Sequence, residues 1–120
     1  MAMLTTDQIL KVDDLKSEIV EVPEWGGSVK IRTMTGTERD KFESSVSNDS
    51  RGKNKKSNLD NIRARLVALA MVDDNGERLF RDDQVKELGK KSAAALDRVF
   101  AVAQRLNGLS GTDVEELSGN

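Results

Sequence analysis

A chain of 120 residues has room for one hydrophobic core, because two would each be too small to bury enough apolar surface. Its 19 basic and 21 acidic side chains nearly cancel to a formal charge of −2, which removes the electrostatic argument for DNA, RNA or an anionic membrane as a partner. There is no His and no Cys, so the commonest metal ligands, the thiolate nucleophile, the usual neutral-pH acid–base group and any disulfide are missing.

The first predicted element is a short helix. Thr5, Thr6 and Asp7 ahead of Gln8, Ile9 and Leu10 supply an oxygen to accept orphan N–H groups, and the helix ends near Val12. The same segment lacks the long apolar run of a secretory signal, and no later stretch approaches the roughly 20 apolar residues of a membrane span. A soluble protein of the cytoplasm is expected. Two β-branched runs follow, Glu18 to Val22 and Val29 to Met34. In the second, Val29, Ile31 and Thr33 alternate with Lys30, Arg32 and Met34, so the two sets are expected on opposite faces. Pro23 fixes φ at the turn entry while Gly26 and Gly27 permit positive φ, which predicts a hairpin with a loop of several residues. A two-stranded hairpin is marginal alone and must lie against helices.

Thr35 followed three residues later by Glu38 has the spacing of a capping box, opening a helix to about Ser47 with Phe42 and Val46 on one face. Residues 48–57 contain no apolar side chain and predict a mobile loop. From Leu59 through Ile62, Leu66, Leu69 and Ala70 the spacing of three and four marks a buried helix, widened by Val67, Ala68, Met71 and Val72. Asp73-Asp74-Asn75-Gly76 stops it with turn residues, and Leu79-Phe80 forms a brief extended anchor. Asp82 or Asp83 then caps a short helix through Leu88, closed by Gly89. Ser92 caps the last long helix, whose stripe is Leu96, Val99, Phe100, Ala103 and Leu106, and Asn107-Gly108 ends it. The expected fold class is α+β, mainly α: a small helical domain with an N-terminal β-hairpin packed against helices. Residues 1–120 are read as a single domain in which 110–120 form a flexible tail.

No motif for chemistry survives inspection. Aligning Gly76 with the glycine of a calcium loop puts Met71 at its first ligand position and Asp82, not Glu, at its last, so a helix-stopping turn is the better account. The basic run Arg51, Lys53, Lys55 and Lys56 lacks interleaved aromatics for base stacking and reads as a solvated loop. The pairs Asp13-Asp14, Asp82-Asp83 and Glu115-Glu116 lie in polar surroundings without the burial that shifts a carboxyl pKa. Gly26-Gly27 opens a strand, not a phosphate-binding helix. The expectation is therefore no catalytic residue, no cofactor and no metal. Trp25 has two readings: an indole folded over its own small core, which is preferred, or an exposed anchor of the kind enriched at interface hot spots. Trp25, Phe80, Val99, Val102 and Leu106 are the candidate partner-binding residues, the last three from a helical stripe with width to spare.

Three blocks taken together carry a resemblance. They are Val22 to Asp40; Arg63 to Leu69 with Asp73 to Phe80; and Leu88 to Phe100 continuing through Ala103 to Asn107. In this order and spacing the chain resembles the tail assembly chaperones of long-tailed bacteriophages. The resemblance implies a non-enzymatic protein of the host cytoplasm that binds the long helical tape measure protein, promotes tail tube assembly and is not retained in the virion. The major tail protein and a second copy of the chain are further implied partners, and the family offers no catalytic residue to carry over. A minor structural protein of the virion, such as a head–tail connector or tail component, is the alternative.

Overall fold

The structure, a computed structural model, describes residues 2–47 and 61–109. The expected loop 48–57, its basic run, Leu59 and the expected tail 110–120 lie outside the described residues. In chain order the elements are α1 (Thr6–Lys11), β1 (Ser17–Val22), β2 (Gly27–Arg32), α2 (Gly36–Ser47), α3 (Ile62–Ala70), β3 (Met71–Val72), α4 (Val85–Leu88) and α5 (Ala93–Leu106). Turns of 3-10 helix at Pro23–Trp25 and Asp82–Gln84 complete the set. The fold is thus α+β and mainly helical.

The hairpin forms where β-branched residues favour it. β1 and β2 pair antiparallel with Val20 opposite Val29 and Val22 opposite Gly27. The connecting loop is one 3-10 turn opened by Pro23 and closed by Gly26 at φ +74°. Gly26 alone uses the left-handed freedom expected of the glycine pair, since Gly27 is already in the strand. Val20, Val22 and Ile31 are buried on the inner face, whereas Ile19 is exposed on the outer one. The alternation expected through Met34 breaks after Arg32, where the strand ends. Met34, expected to share the outer side with Lys30 and Arg32, instead turns inward and is buried.

The sheet has three strands, not two, in the order β1-β2-β3. Met71 and Val72, expected to widen the apolar face of a helix, leave it after Ala70 and pair with Ile31 and Lys30. A continuous apolar run has no period that separates helix from buried strand, and the free edge of β2 decides the matter here. Val72 also bridges to Arg78, so Asp73–Gly76 is the turn of a small β return. The Asp73 carboxylate accepts the N–H groups of Asn75 and Glu77 at 2.8 and 3.0 Å, which commits that oxygen to the turn.

Local caps set the helix starts. Thr35 Oγ1 accepts the Glu38 N–H while the Glu38 carboxylate accepts the Thr35 N–H, the reciprocal box expected for α2. Ser92 Oγ accepts the Ala95 N–H and opens α5. Ahead of α4 the cap is shifted from its expected place: Gln84 Oε1 accepts the Arg81 N–H, and Asp82 and Asp83 lie inside the first turn. Gly89 closes α4 as expected, with an ordinary right-handed φ, and a Cβ there would collide with the Asn61 side chain.

One hydrophobic cluster draws on every strand and on α2, α3, α4 and α5. α3 contributes Ala64 and the unbroken run Leu66 to Ala70, and α5 contributes Ala95, Leu96, Val99 and Ala103. Phe42 and Val46 of α2 are fully buried side by side, as their spacing of four requires. α5 runs antiparallel to β1 across the inner face of the sheet. Arg105 reaches Glu18 at 2.6 Å near one end of the hairpin, and Arg98 pairs with Glu24 at the tip. Seven residues of helix, about 10 Å, separate those two arginines.

A candidate partner-binding groove at the hairpin tip

Several short pieces of chain meet at the tip of the hairpin and leave an open groove of about 540 Å³ between them. The 3-10 turn brings Trp25, β2 brings Val29, the segment after the small β return brings Leu79 and Phe80, and α4 brings Leu88. Met71 and Leu88 are buried and form its floor. Trp25, Val29 and Phe80 are half-buried walls packed against the core, and Leu79 is exposed at the rim. Pro23 starts the turn that lifts Trp25 out of the strand, and positive φ at Gly26 returns the chain without covering the indole.

The rim carries both signs of charge in Glu24, Glu87 and Lys91. Glu24 is engaged by Arg98, whose hydrogen bond holds its carboxyl below the ordinary carboxylate value. The same pair raises the Arg98 guanidinium above its own. With apolar walls and a mixed-charge rim, the groove suits one apolar face of a peptide or helix. No cluster of three or more Asp or Glu side chains able to hold a metal ion occurs among the described residues.

A second cleft of about 450 Å³ lies between α2, α3 and α4, and four of its polar side chains are paired with one another. Lys41 pairs with Asp82, and Arg65 donates to Ser45 Oγ at 2.9 Å. The apolar groove at the hairpin tip is the better recognition surface.

Of the five residues expected to bind a partner, the structure brings Trp25 and Phe80 together on this groove. The other three lie elsewhere. Val99 is fully buried in the core, and Val102 and Leu106 are half-buried against it on α5. Val29, Leu79 and Leu88 line the groove without having been singled out. Leu79 carried a signal, because two successive apolar residues in an extended anchor point to opposite sides and cannot both enter one core. Among the described residues, no helix is long and apolar enough to cross a membrane.

The phage tail assembly chaperone family matches residues 9–120, and the chain belongs to that family. Among solved structures, the tail assembly chaperone of bacteriophage HK97 superposes with a TM-score of 0.59 at 20% identity, over 83% of this chain and 94% of the other. That likeness is one of fold. A comparison with curated proteins gives no significant match.

Proposed function

We propose that this chaperone binds the tape measure protein through the Trp25–Phe80 groove and keeps it soluble until tail tube subunits polymerise around it. The observation that supports this is the groove itself. It offers an apolar floor and walls, a large aromatic at its edge and charge of both signs around it, which are the features used to receive one face of an amphipathic helix. Its volume falls within the roughly 300–1,000 Å³ common for binding pockets, enough for several side chains of one helical face. A long client presents many such faces, so a modest contact repeated by several copies gains avidity.

The role needs no catalysis and no cofactor, and in this reading residues 1–120 act as one unit in the host cytoplasm. The described arginines are largely paired with carboxylates, as in Arg63–Asp97, Arg81–Asp83 and Arg105–Glu18, which makes them less available to a nucleic acid. The major tail protein is a second client in the same scheme, met as the tube closes over the tape. Co-expression with the tape measure protein tests the proposal: the client should become soluble with the intact chain and remain insoluble with a Phe80→Asp variant. Equal solubility with and without the chaperone overturns it. Mass spectrometry of purified particles checks the expected absence of the chain from the virion.

A further inference from the structure

The two edges of the sheet are finished differently. Beyond β3 the chain returns on itself and supplies a neighbour: the Leu79 N–H donates to the Met71 carbonyl at 3.1 Å, and the Asp73 N–H to the Glu77 carbonyl at 2.8 Å. β1 is the other edge, and among the described residues no strand lies beside it. The phase of its hydrogen bonds is set by the Thr33 N–H, which donates to the Lys16 carbonyl at 2.8 Å. Lys16, Glu18, Val20 and Val22 therefore face β2, while Ser17, Ile19 and Glu21 turn their N–H and C=O groups outward. These three residues are exposed, and no hydrogen bond among the described residues uses those outward groups.

Proteins ordinarily blunt such an edge with a Pro, a Lys or a bulge, because unpaired strand groups template the pairing of another chain. From Ser17 to Val22 there is neither Pro nor Lys, and the register against β2 runs without a bulge. We propose that this edge binds an extended segment of a partner protein, which adds beside β1 as a fourth strand by β-augmentation. The inference goes beyond the client reading and does not depend on it, since the groove at the hairpin tip receives a helix and the edge receives a strand.

Side chains on the two faces define the partner. On the outer face Ile19 is 62% exposed, and the ion pairs among the described residues do not use Glu21. On the inner face, Arg98 and Arg105 of α5 hold Glu24 and Glu18 of the hairpin, so the stripe that carries them faces β1. Val102 stands on that stripe, four residues after one arginine and three before the other, and is only half-buried. Glu18 points inward, where its charge would repel an incoming strand, but Arg105 neutralises it. The partner strand is therefore apolar on the side that covers Val102, and on its other side it sets a basic residue beside Glu21. A second copy of β1 does not meet this description. It has no basic residue between Ser17 and Val22, and antiparallel pairing centred on Ile19 sets Glu21 against Ser17.

Amide hydrogen exchange of the full chain, followed by NMR with a synthetic peptide as the probe, tests this. The peptide has roughly eight residues, enough to cover β1, with Val at alternate positions and Thr or Lys between them. In the chain alone the Ser17, Ile19 and Glu21 amides should exchange freely. Saturating peptide should slow all three by roughly tenfold or more. A peptide with Glu in place of Lys should bind about three- to tenfold more weakly, and Glu21→Lys should reverse that preference. Ile19→Pro removes an outward N–H without touching a pair to β2, and should abolish binding in a chain whose circular dichroism is unchanged. Where Pro disturbs the strand, a peptide N-methylated at the pairing amides puts the same question to the unaltered chain, and it should not bind. Three results overturn the proposal: amides already protected in the chain alone, whether by the chain itself or by a second copy; amides left unprotected at saturating peptide; or an N-methylated peptide that binds as well as its parent.

Discussion

The backbone N–H of Met34 donates to the Asn107 Oδ1 at 2.7 Å, joining the end of the hairpin to the end of the last helix across 73 residues. The other half of the same amide donates to the Ala103 carbonyl at 2.8 Å, and the Asn107 carbonyl accepts from Arg39 at 3.1 Å. The end of the hairpin, α2 and α5 are therefore tied at one residue. Asn107→Ala leaves the Met34 N–H without its partner in a part-buried place, and should cost about 1–3 kcal/mol in denaturant titration. An unchanged midpoint would show that the link is dispensable.

A second tie joins the outer face of the sheet to α2. Arg32 donates to both carboxylate oxygens of Glu38, at 3.0 and 3.1 Å, and to the Gly76 carbonyl at 2.9 Å. Glu38 has a second task, accepting the Thr35 N–H in the capping box. Glu38→Ala should destabilise by about 2–3 kcal/mol, since it removes a cap and one partner of a largely buried charge pair. Glu38→Gln retains the acceptor for Thr35 and should cost less. If the two variants cost the same, the cap contributes little and the charge is what matters.

These ties also show what could be read in advance. Thr35 with Glu38 and Ser92 with Ala95 were legible because a cap is decided by residues three apart. The buried stripes of α2 and α5 were legible from their period. β3 was not, because two residues of strand are defined only by the β2 edge they meet, and Met71–Val72 continue an apolar run that suits a helix equally. Asn107 was readable as a helix stop but not as a partner for Met34, a relation that exists only once α5 lies across the sheet. In the groove, Trp25 and Phe80 stood out by residue type. Leu79 carried a weaker signal, and Val29 and Leu88 none, since their place on the groove depends on how separate segments converge.

The two glycines of the hairpin separate backbone strain from crowding. A Cβ at either Gly26 or Gly27 meets nothing within 4 Å, but only Gly26 has positive φ. Gly26→Ala should therefore cost about 1 kcal/mol or more through left-handed strain alone. Gly27→Ala should be neutral or slightly stabilising, because Ala restricts the unfolded chain more than Gly does. Thermal melts of the two variants should move in different directions or by clearly different amounts. Equal losses would mean that something other than φ governs this turn.

Acid should weaken the fold, and neutral pH should not matter. Hydrogen bonds from Lys41 and Arg78 hold the Asp82 carboxyl below its ordinary 3.8, and Arg98 holds Glu24 below 4.5. A carboxyl depressed in the folded state contributes stability above its unfolded pKa and loses it as pH falls through the folded value. Stability should fall progressively below about pH 4.5, while no His or Cys titrates at higher pH and the curve stays flat between about pH 6 and 8. Asp82 is half exposed, so Asp82→Asn should lessen the acid slope only modestly. A stability step near neutrality would contradict this account.

The chain has one Trp, and it stands on the groove wall, so the client-binding reading can be followed with the protein's own fluorescence. A client helix that fills the groove removes water from the half-buried indole, and Trp25 emission should shift to the blue and saturate with added tape measure segment. Trp25→Ala should weaken client binding by about 1–3 kcal/mol, or roughly ten- to a hundredfold, as expected of an aromatic anchor in a largely desolvated site. Glu24→Gln, next to it in sequence, weakens the rim pair with Arg98 but leaves the apolar walls intact and should bind within a fewfold of wild type. The contrast between neighbours guards against a trivial reading. If both substitutions weakened binding alike, the hairpin tip would be acting through its fold. If neither did, the client would be docking somewhere other than the Trp25–Phe80 groove.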